Sequence, residues 1–276
     1  MATNPAFNRL EKDAQGGYAG FRSGQAAPAV PAQDAMSAQQ LQDLYNRDSA
    51  TPVQTDRVTM DDVVMKTLGL FAIVLVLGAV GWGVATANPG LGFMLLLAGM
   101  VGTLVLGLVI AFKKTLSVPL IIGYAVVEGL FVGAVSQVFE RLYPGVVATA
   151  VLATGSTFAG MFLAYRFGLI KVTAKFRRIM TMMIFGYAIF AIINVIFAFA
   201  TGTRFGIGGS GMLGIGISLF AVGLASFSLA LDFDSIEYAI RSGAPQKYSW
   251  LLAHGLIVTL VWLYIEFLRL FARLRD

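Results

Sequence analysis

The sequence predicts an all-α membrane protein with seven transmembrane helices. Three observations carry this: 57% of the 276 residues are hydrophobic, only 13% are charged, and the apolar residues gather in seven long runs. A soluble domain of this size has roughly 25% charged residues. Too few charges remain here to cover a water-facing surface, which excludes a disordered chain and an ordinary water-soluble enzyme. Mean hydropathy is +0.77. The absence of cysteine excludes disulfides, zinc–thiolate sites and thiol nucleophiles. A single histidine, His254, excludes a multi-histidine metal centre. The net charge of +5 and pI of about 9.5 would suggest nucleic acid in a soluble chain. Here the basic residues sit between apolar runs and read as membrane-orientation signals, not as a nucleic-acid surface.

Residues 1–58 are polar, with Gly, Ala, Pro, Gln and Asp prominent. Such a segment buries too little apolar surface to offset its ordering entropy, so a disordered tail is expected there. A short helix around Ser37–Tyr45 is its one candidate element. Met1–Gly20 lacks the apolar core of a signal peptide. The tail is therefore expected on the cytoplasmic side. Thr59-Met60-Asp61-Asp62 has the pattern of a capping box, with Thr59 as N-cap and Asp62 at N3, and opens a membrane domain over 59–276.

A spanning helix needs about 20 apolar residues. The runs cover about 66–86, 91–112, 119–139, 146–166, 179–200, 212–233 and 249–271. Lipid offers no hydrogen bonds, so each run satisfies its own backbone as a helix. The alternation of a membrane barrel is absent. With the N-terminus inside, the cytoplasmic loops hold Lys113, Lys114, Arg166, Lys171, Lys175, Arg177, Arg178, Arg241 and Lys247, against Arg141 and Arg204 outside. That bias supports an N-inside, multi-pass protein of the inner membrane. Arg269, Arg273 and Arg275 resist it, because seven spans put them outside. Either the last helix is re-entrant or the short tail crosses in spite of its charge.

Two motifs have structural readings. Gly129 and Gly133 form a GxxxG pair that either permits close helix contact or reflects ordinary membrane glycine usage. Gly206-Ile-Gly-Gly-Ser-Gly211 satisfies GxGxxG, but it follows a spanning run instead of a strand, and reads as a loop. No nucleophile–base constellation occurs, and no enzymatic activity is expected.

The strongest chemical signal is acid within the apolar runs: Glu128, Asp232, Asp234 and Glu266. A charge at membrane depth is costly and usually marks a pathway or an internal pair. Glu128 lies near mid-membrane, about 13 Å into its run. Asp232 and Asp234 are interfacial if the sixth helix stops near 233. No breaker appears before Gly243, and continuation to about Ile240 would carry Asp232 inward by about 12 Å. Glu266 either serves a site or pairs with Arg269 at i,i+3. Oxygen-only acidic ligands suit hard cations such as calcium, and they also suit protons. His254 is either a second pH-sensing group or a neutral core residue.

Several segments together resemble the Bax inhibitor-1/YccA-like family, in its bacterial branch of actinobacterial type. They are Asn4-Pro-Ala-Phe7, Gly16-Gly-Tyr18, Thr59-Met-Asp-Asp-Val63, Glu128-Gly-Leu-Phe-Val-Gly133, Leu231-Asp-Phe-Asp-Ser-Ile-Glu237, Gly243-Ala-Pro-Gln-Lys247 and Leu260-Val-Trp-Leu-Tyr-Ile-Glu-Phe-Leu-Arg269. The resemblance implies six helices in two triple layers around a central seventh. It implies a pH-sensitive calcium leak channel, with Ca2+ as permeant ion and no cofactor. In eukaryotes such proteins suppress cell death. One bacterial relative is associated with a membrane-bound ATP-dependent protease. The alternative it leaves is a non-conducting interaction protein whose partners are the bilayer and such a protease.

The family's sensor is a pair of aspartates on the sixth and seventh helices. The sixth-helix aspartate follows an aromatic residue and precedes an isoleucine by four. Asp232 with Ile236 matches the spacing, with Leu231 in the aromatic place; Asp234 follows the aromatic Phe233. Leu263-Tyr-Ile-Glu-Phe267 matches the seventh-helix pattern, with Glu266 in the acidic place. The stretch between the two acids is longer than in the family. Aligning by spacing alone brings Thr259 to the second position. Side-chain pattern takes precedence because loops absorb insertions. Asp232 and Glu266 are thus the expected ion-binding and gating pair, with Glu128 and Asp234 as helpers.

Overall fold

A computed structural model describes residues 56–276, all within the unit formed by 50–276. Seven helices follow in order: α1 Met60–Ala87, α2 Pro89–Phe112, α3 Val118–Leu142, α4 Val146–Arg166, α5 Ala174–Thr201, α6 Met212–Arg241 and α7 Tyr248–Arg275. All seven are long and apolar enough to cross a membrane. The only non-helical pairing among the described residues is one isolated bridge, Arg57 with Pro245.

Local chemistry sets the ends. Thr59 Oγ1 accepts from the Asp62 N–H at 3.1 Å, and Asp62 Oδ2 accepts from the Thr59 N–H at 3.3 Å. The expected capping box is therefore present, and it occupies orphan donors at the start of α1. Asn88 accepts from the Leu91 N–H at 3.1 Å, with Pro89 at the first position of α2. Thr173 caps α5 through the Phe176 N–H at 3.1 Å. Left-handed glycines close the far ends of two helices, Gly202 (φ 69°) after α5 and Gly243 (φ 66°) just past α6.

The helices outrun the apolar runs. α1 begins at Met60, α5 at Ala174, and α6 continues to Arg241, eight residues past the apolar window. Apolarity measures only the length that meets hydrocarbon, whereas the helix itself stops at a cap or breaker. The continuation of α6 is the case in which Asp232 moves inward.

α1, α2 and α3 pack together on one side of α7, and α4, α5 and α6 on the other; the backbone of α7 runs close to α1, α3, α4 and α6, and its side chains also meet Tyr187 of α5. The central helix is the most buried, with Leu263, Leu268, Ala253 and Ala272 fully enclosed. The outward faces of the other helices expose large apolar side chains such as Leu75, Met94, Leu152, Phe185 and Ile196. That pattern inverts a soluble fold and fits lipid as the solvent. α7 is continuous over its 28 residues, so the re-entrant alternative does not apply.

Glycine brings α1 and α3 together. A methyl on Gly129 would lie 2.8 Å from Leu77 Cβ, and one on Gly133 would meet the Gly78 carbonyl and lie 2.7 Å from the Trp82 nitrogen. The GxxxG pair is thus a contact surface, and larger residues there would force the backbones apart.

The tail expected over 1–58 and the helix at Ser37–Tyr45 lie outside the described residues, except for Asp56, Arg57 and Val58. These three are ordered against the α6–α7 loop. Val58 N–H donates to the Ala244 carbonyl at 2.8 Å, and Gln246 N–H to the Asp56 carbonyl at 2.7 Å. Val58 is buried with Val63, Ile236, Ala239 and Ala244. The side chain of Gln246 also donates to Asp62 Oδ1 at 3.0 Å. The start of α1 is thereby tied to the turn between α6 and α7.

Candidate functional site between α6 and α7

Asp232 lies nine residues before the end of α6, about 14 Å in by helical rise. It points at α7. A methyl on Gly255 would stand 3.9 Å from Asp232 Oδ1, and Thr259 lies opposite its carboxyl. Asp232 Oδ2 is buried and accepts no hydrogen bond. Thr259 Oγ1 donates back to the Gly255 carbonyl at 3.2 Å. The Thr259 hydroxyl is within hydrogen-bonding reach of the Asp232 carboxyl, and it is Oδ2 that is left without a partner.

Glu266 is not Asp232's partner. It lies seven residues beyond Thr259 on the same face of α7, about 10 Å further along the axis. Its carboxylate is 2% exposed and already enclosed. Glu266 Oε1 accepts from Tyr187 Oη at 2.7 Å, from Trp262 Nε1 at 3.2 Å and from the Arg269 guanidinium at 3.2 Å. The expected Asp232–Glu266 pair is therefore not brought together, and the i,i+3 partnership with Arg269 is what the chain forms. Spacing located the α7 residue facing Asp232, Thr259, where the side-chain pattern pointed elsewhere. The physical reason is helical register: a rigid helix packed at mid-length cannot absorb an insertion as a loop does.

Glu128 is buried in mid-α3, about 15 Å from the helix start. Its side chain meets Tyr124, one turn earlier. Tyr124 in turn packs edge-on against His254 of α7, with ring centroids 4.5 Å apart. His254 and Thr259 are five residues apart, about 140° around α7. The Glu128–Tyr124–His254 group therefore faces α3, away from the Asp232 side.

Asp234 forms an ion pair with Arg177 of α5. Near it, Tyr165 Oη donates to Glu237 Oε2 at 2.6 Å, and Glu237 Oε1 lies 3.5 Å from Arg241. These acids belong to a charged junction among α4, α5 and α6.

The terminal arginines are used as donors. Arg273 is buried and donates to the Gly214 carbonyl, to Ser218 Oγ at 2.8 Å and to the Phe205 carbonyl at 3.1 Å. Arg275 donates to the Pro144 carbonyl at 2.5 Å. With Glu266 beside Arg269, the positive charges that opposed the loop bias are largely met by protein groups. At the same end, Tyr143 Oη donates to Asp276 Oδ1 at 2.8 Å. That bond, more than the nearby Ser210 and Arg204, holds the Asp276 carboxyl below the usual carboxylate range.

Sequence reasoning missed Tyr187 as a partner of Glu266. No local signal could have found it, since α5 and α7 are far apart in the chain. Trp262, at i−4 from Glu266, was legible by helical spacing.

No curated protein matches the chain in a sequence search. The family description Bax inhibitor 1 like matches residues 4–276, and two helix triplets around a central α7 agree with what the sequence resemblance implied. The chain belongs to the Bax inhibitor 1 like family.

Proposed function

We propose that this membrane protein is a pH-sensitive cation leak, with Asp232 as its ion-binding acid, Ca2+ as the permeant ion and its N-terminus on the cytoplasmic side. The observation that carries this reading is the unpartnered Asp232 Oδ2, buried between α6 and α7. A carboxylate withdrawn from water needs a compensating group. Beside it on α7 stand the Thr259 hydroxyl and, one turn earlier, the Gly255 carbonyl that this hydroxyl also meets. An oxygen set of this kind suits a hard cation or a proton, and competition between the two would make the leak pH-sensitive. Glu266 has a different part in this reading. Its charge is met by Arg269, and it holds α5 to α7 through Tyr187.

The experiment is flux into liposomes loaded with a calcium dye. Wild-type protein is expected to admit Ca2+ with a rate that changes between about pH 6 and 8, as protons compete with the cation for the oxygen set. Asp232→Asn is expected to remove that dependence. Absent flux from correctly folded protein, or an unchanged pH profile in Asp232→Asn, would overturn the proposal and favour a non-conducting partner of other membrane proteins.

A further inference from the structure

The junction at the ends of α4 and α6 and the start of α5 encloses an open pocket of about 310 Å³. Tyr165, Arg166, Lys171, Asp234, Glu237 and Arg241 line it. The two acids are already engaged. Asp234 is held by Arg177, and Glu237 by the Tyr165 hydroxyl and Arg241. Arg166 and Lys171 have no ion pair among the described residues. Lys175 and Arg178, exposed on the first turns of α5, add to the positive field. The pocket therefore has uncompensated positive charge to offer, and the class of ligand it lacks is an anion.

A second observation says where that anion comes from. Between Arg166 and Lys171 the chain exposes Phe167 at 75% and Leu169 at 80%. Two large apolar side chains held out beside cations are unfavourable in water. They are favourable where headgroups meet acyl chains, because the rings enter hydrocarbon while the charges stay at phosphate level. The pocket also sits where three spanning helices end, which is the level of the headgroups. A soluble anion would account for the cations but not for Phe167 and Leu169.

We infer that this pocket holds the phosphate headgroup of an anionic phospholipid, with Arg166 and Lys171 as its ligands and Phe167 and Leu169 beside the acyl chains. Guanidinium suits phosphate through paired N–H donors, and basic pockets between spanning helices take anionic headgroups. The site is separate from Asp232 and stands whether or not the protein conducts.

The test is lipid retention by the full-length protein, purified with an equal mixture of phosphatidylglycerol and phosphatidylcholine and read by native mass spectrometry. Wild type is expected to keep phosphatidylglycerol at least about fivefold over phosphatidylcholine, and Arg166→Gln/Lys171→Gln to bring the two lipids close to parity. Either single variant is expected to lose part of it. Lys113→Gln/Lys114→Gln, two exposed cations in the α2–α3 loop, is expected to keep it, and millimolar inorganic phosphate to displace nothing. Equal retention of the two lipids would overturn the inference. So would an equal loss in the α2–α3 control, which would show a general basic field, or displacement by inorganic phosphate, which would show a soluble-anion site.

Discussion

Asp232, nine residues before the end of α6, faces Thr259 near the middle of α7, and Glu266 stands a further seven residues along the same face. Two acids on neighbouring helices are thus separated by two helical turns and live in different chemistry. One has a buried oxygen without a partner; the other's Oε1 has three donors.

If Thr259 supplies an oxygen to the ion held by Asp232, Thr259→Val removes it while keeping the shape. The expected result is a Ca2+ flux several-fold below wild type, with helicity intact. Glu266→Gln should leave the pH profile of flux in place. A Glu266→Gln profile matching that of Asp232→Asn would contradict the separation of the two sites.

Glu266 neutralises Arg269 and tethers α5, so its loss should appear as stability. Glu266→Gln leaves Arg269 without its counter-charge. Arg269 is about one-third exposed, which discounts the cost of a fully buried broken pair to about 2 kcal/mol. Tyr187→Phe should cost about 1 kcal/mol. The double variant should fall short of the sum, because both changes remove the same contact. Thermal unfolding in detergent measures all three; strict additivity would count against a shared bond.

Close approach of α1 and α3 depends on Gly133. Gly133→Ala drives a methyl into the Gly78 carbonyl, so the helices must separate. A loss of about 1–3 kcal/mol is expected from such overpacking. Gly155→Ala in α4, where nothing lies within 4 Å, should be neutral or slightly stabilising. Unfolding midpoints that move equally for both would refute the contact.

Thr59→Ala removes the cap of α1 and should cost about 1 kcal/mol. Because Asp62 also accepts from Gln246 of the α6–α7 loop, the same variant should raise proteolytic sensitivity there. An unchanged cleavage pattern in limited proteolysis would show that the cap and the loop are independent.

Asp276 should titrate below the ordinary carboxylate range by NMR. Tyr143→Phe should move its midpoint upward, since Tyr143 supplies the largest lowering contact. A depressed carboxylate favours the folded form above its unfolded midpoint, and that contribution fades as pH falls through the folded one. A midpoint unmoved by Tyr143→Phe would assign the shift to Ser210 and Arg204.

The seven helices, the Thr59 cap and the place of Glu128 along its helix were legible because they depend on local quantities: run length, cap chemistry and 1.5 Å of rise per residue. The end of α6 was legible through Gly243, the first residue able to break it. The pairing of acids was not. Side-chain pattern put Glu266 opposite Asp232, but α6 and α7 pack in a register that sets Thr259 there. Register depends on how whole faces interdigitate, to which one short motif contributes little.

The amino-acid sequence by itself determined a seven-helix membrane chain, the family it belongs to and the acids that lie within or beside its apolar runs. The helices and the acids' places in the runs follow from transfer free energy and helical periodicity, which act on a segment without regard to its neighbours; the family follows from the motifs. The tertiary structure alone decided which acid keeps a buried oxygen without a partner and which is enclosed by Arg269, Tyr187 and Trp262. A buried charge is compensated by whatever the packing brings within about 3 Å, and that is settled between helices, not along them.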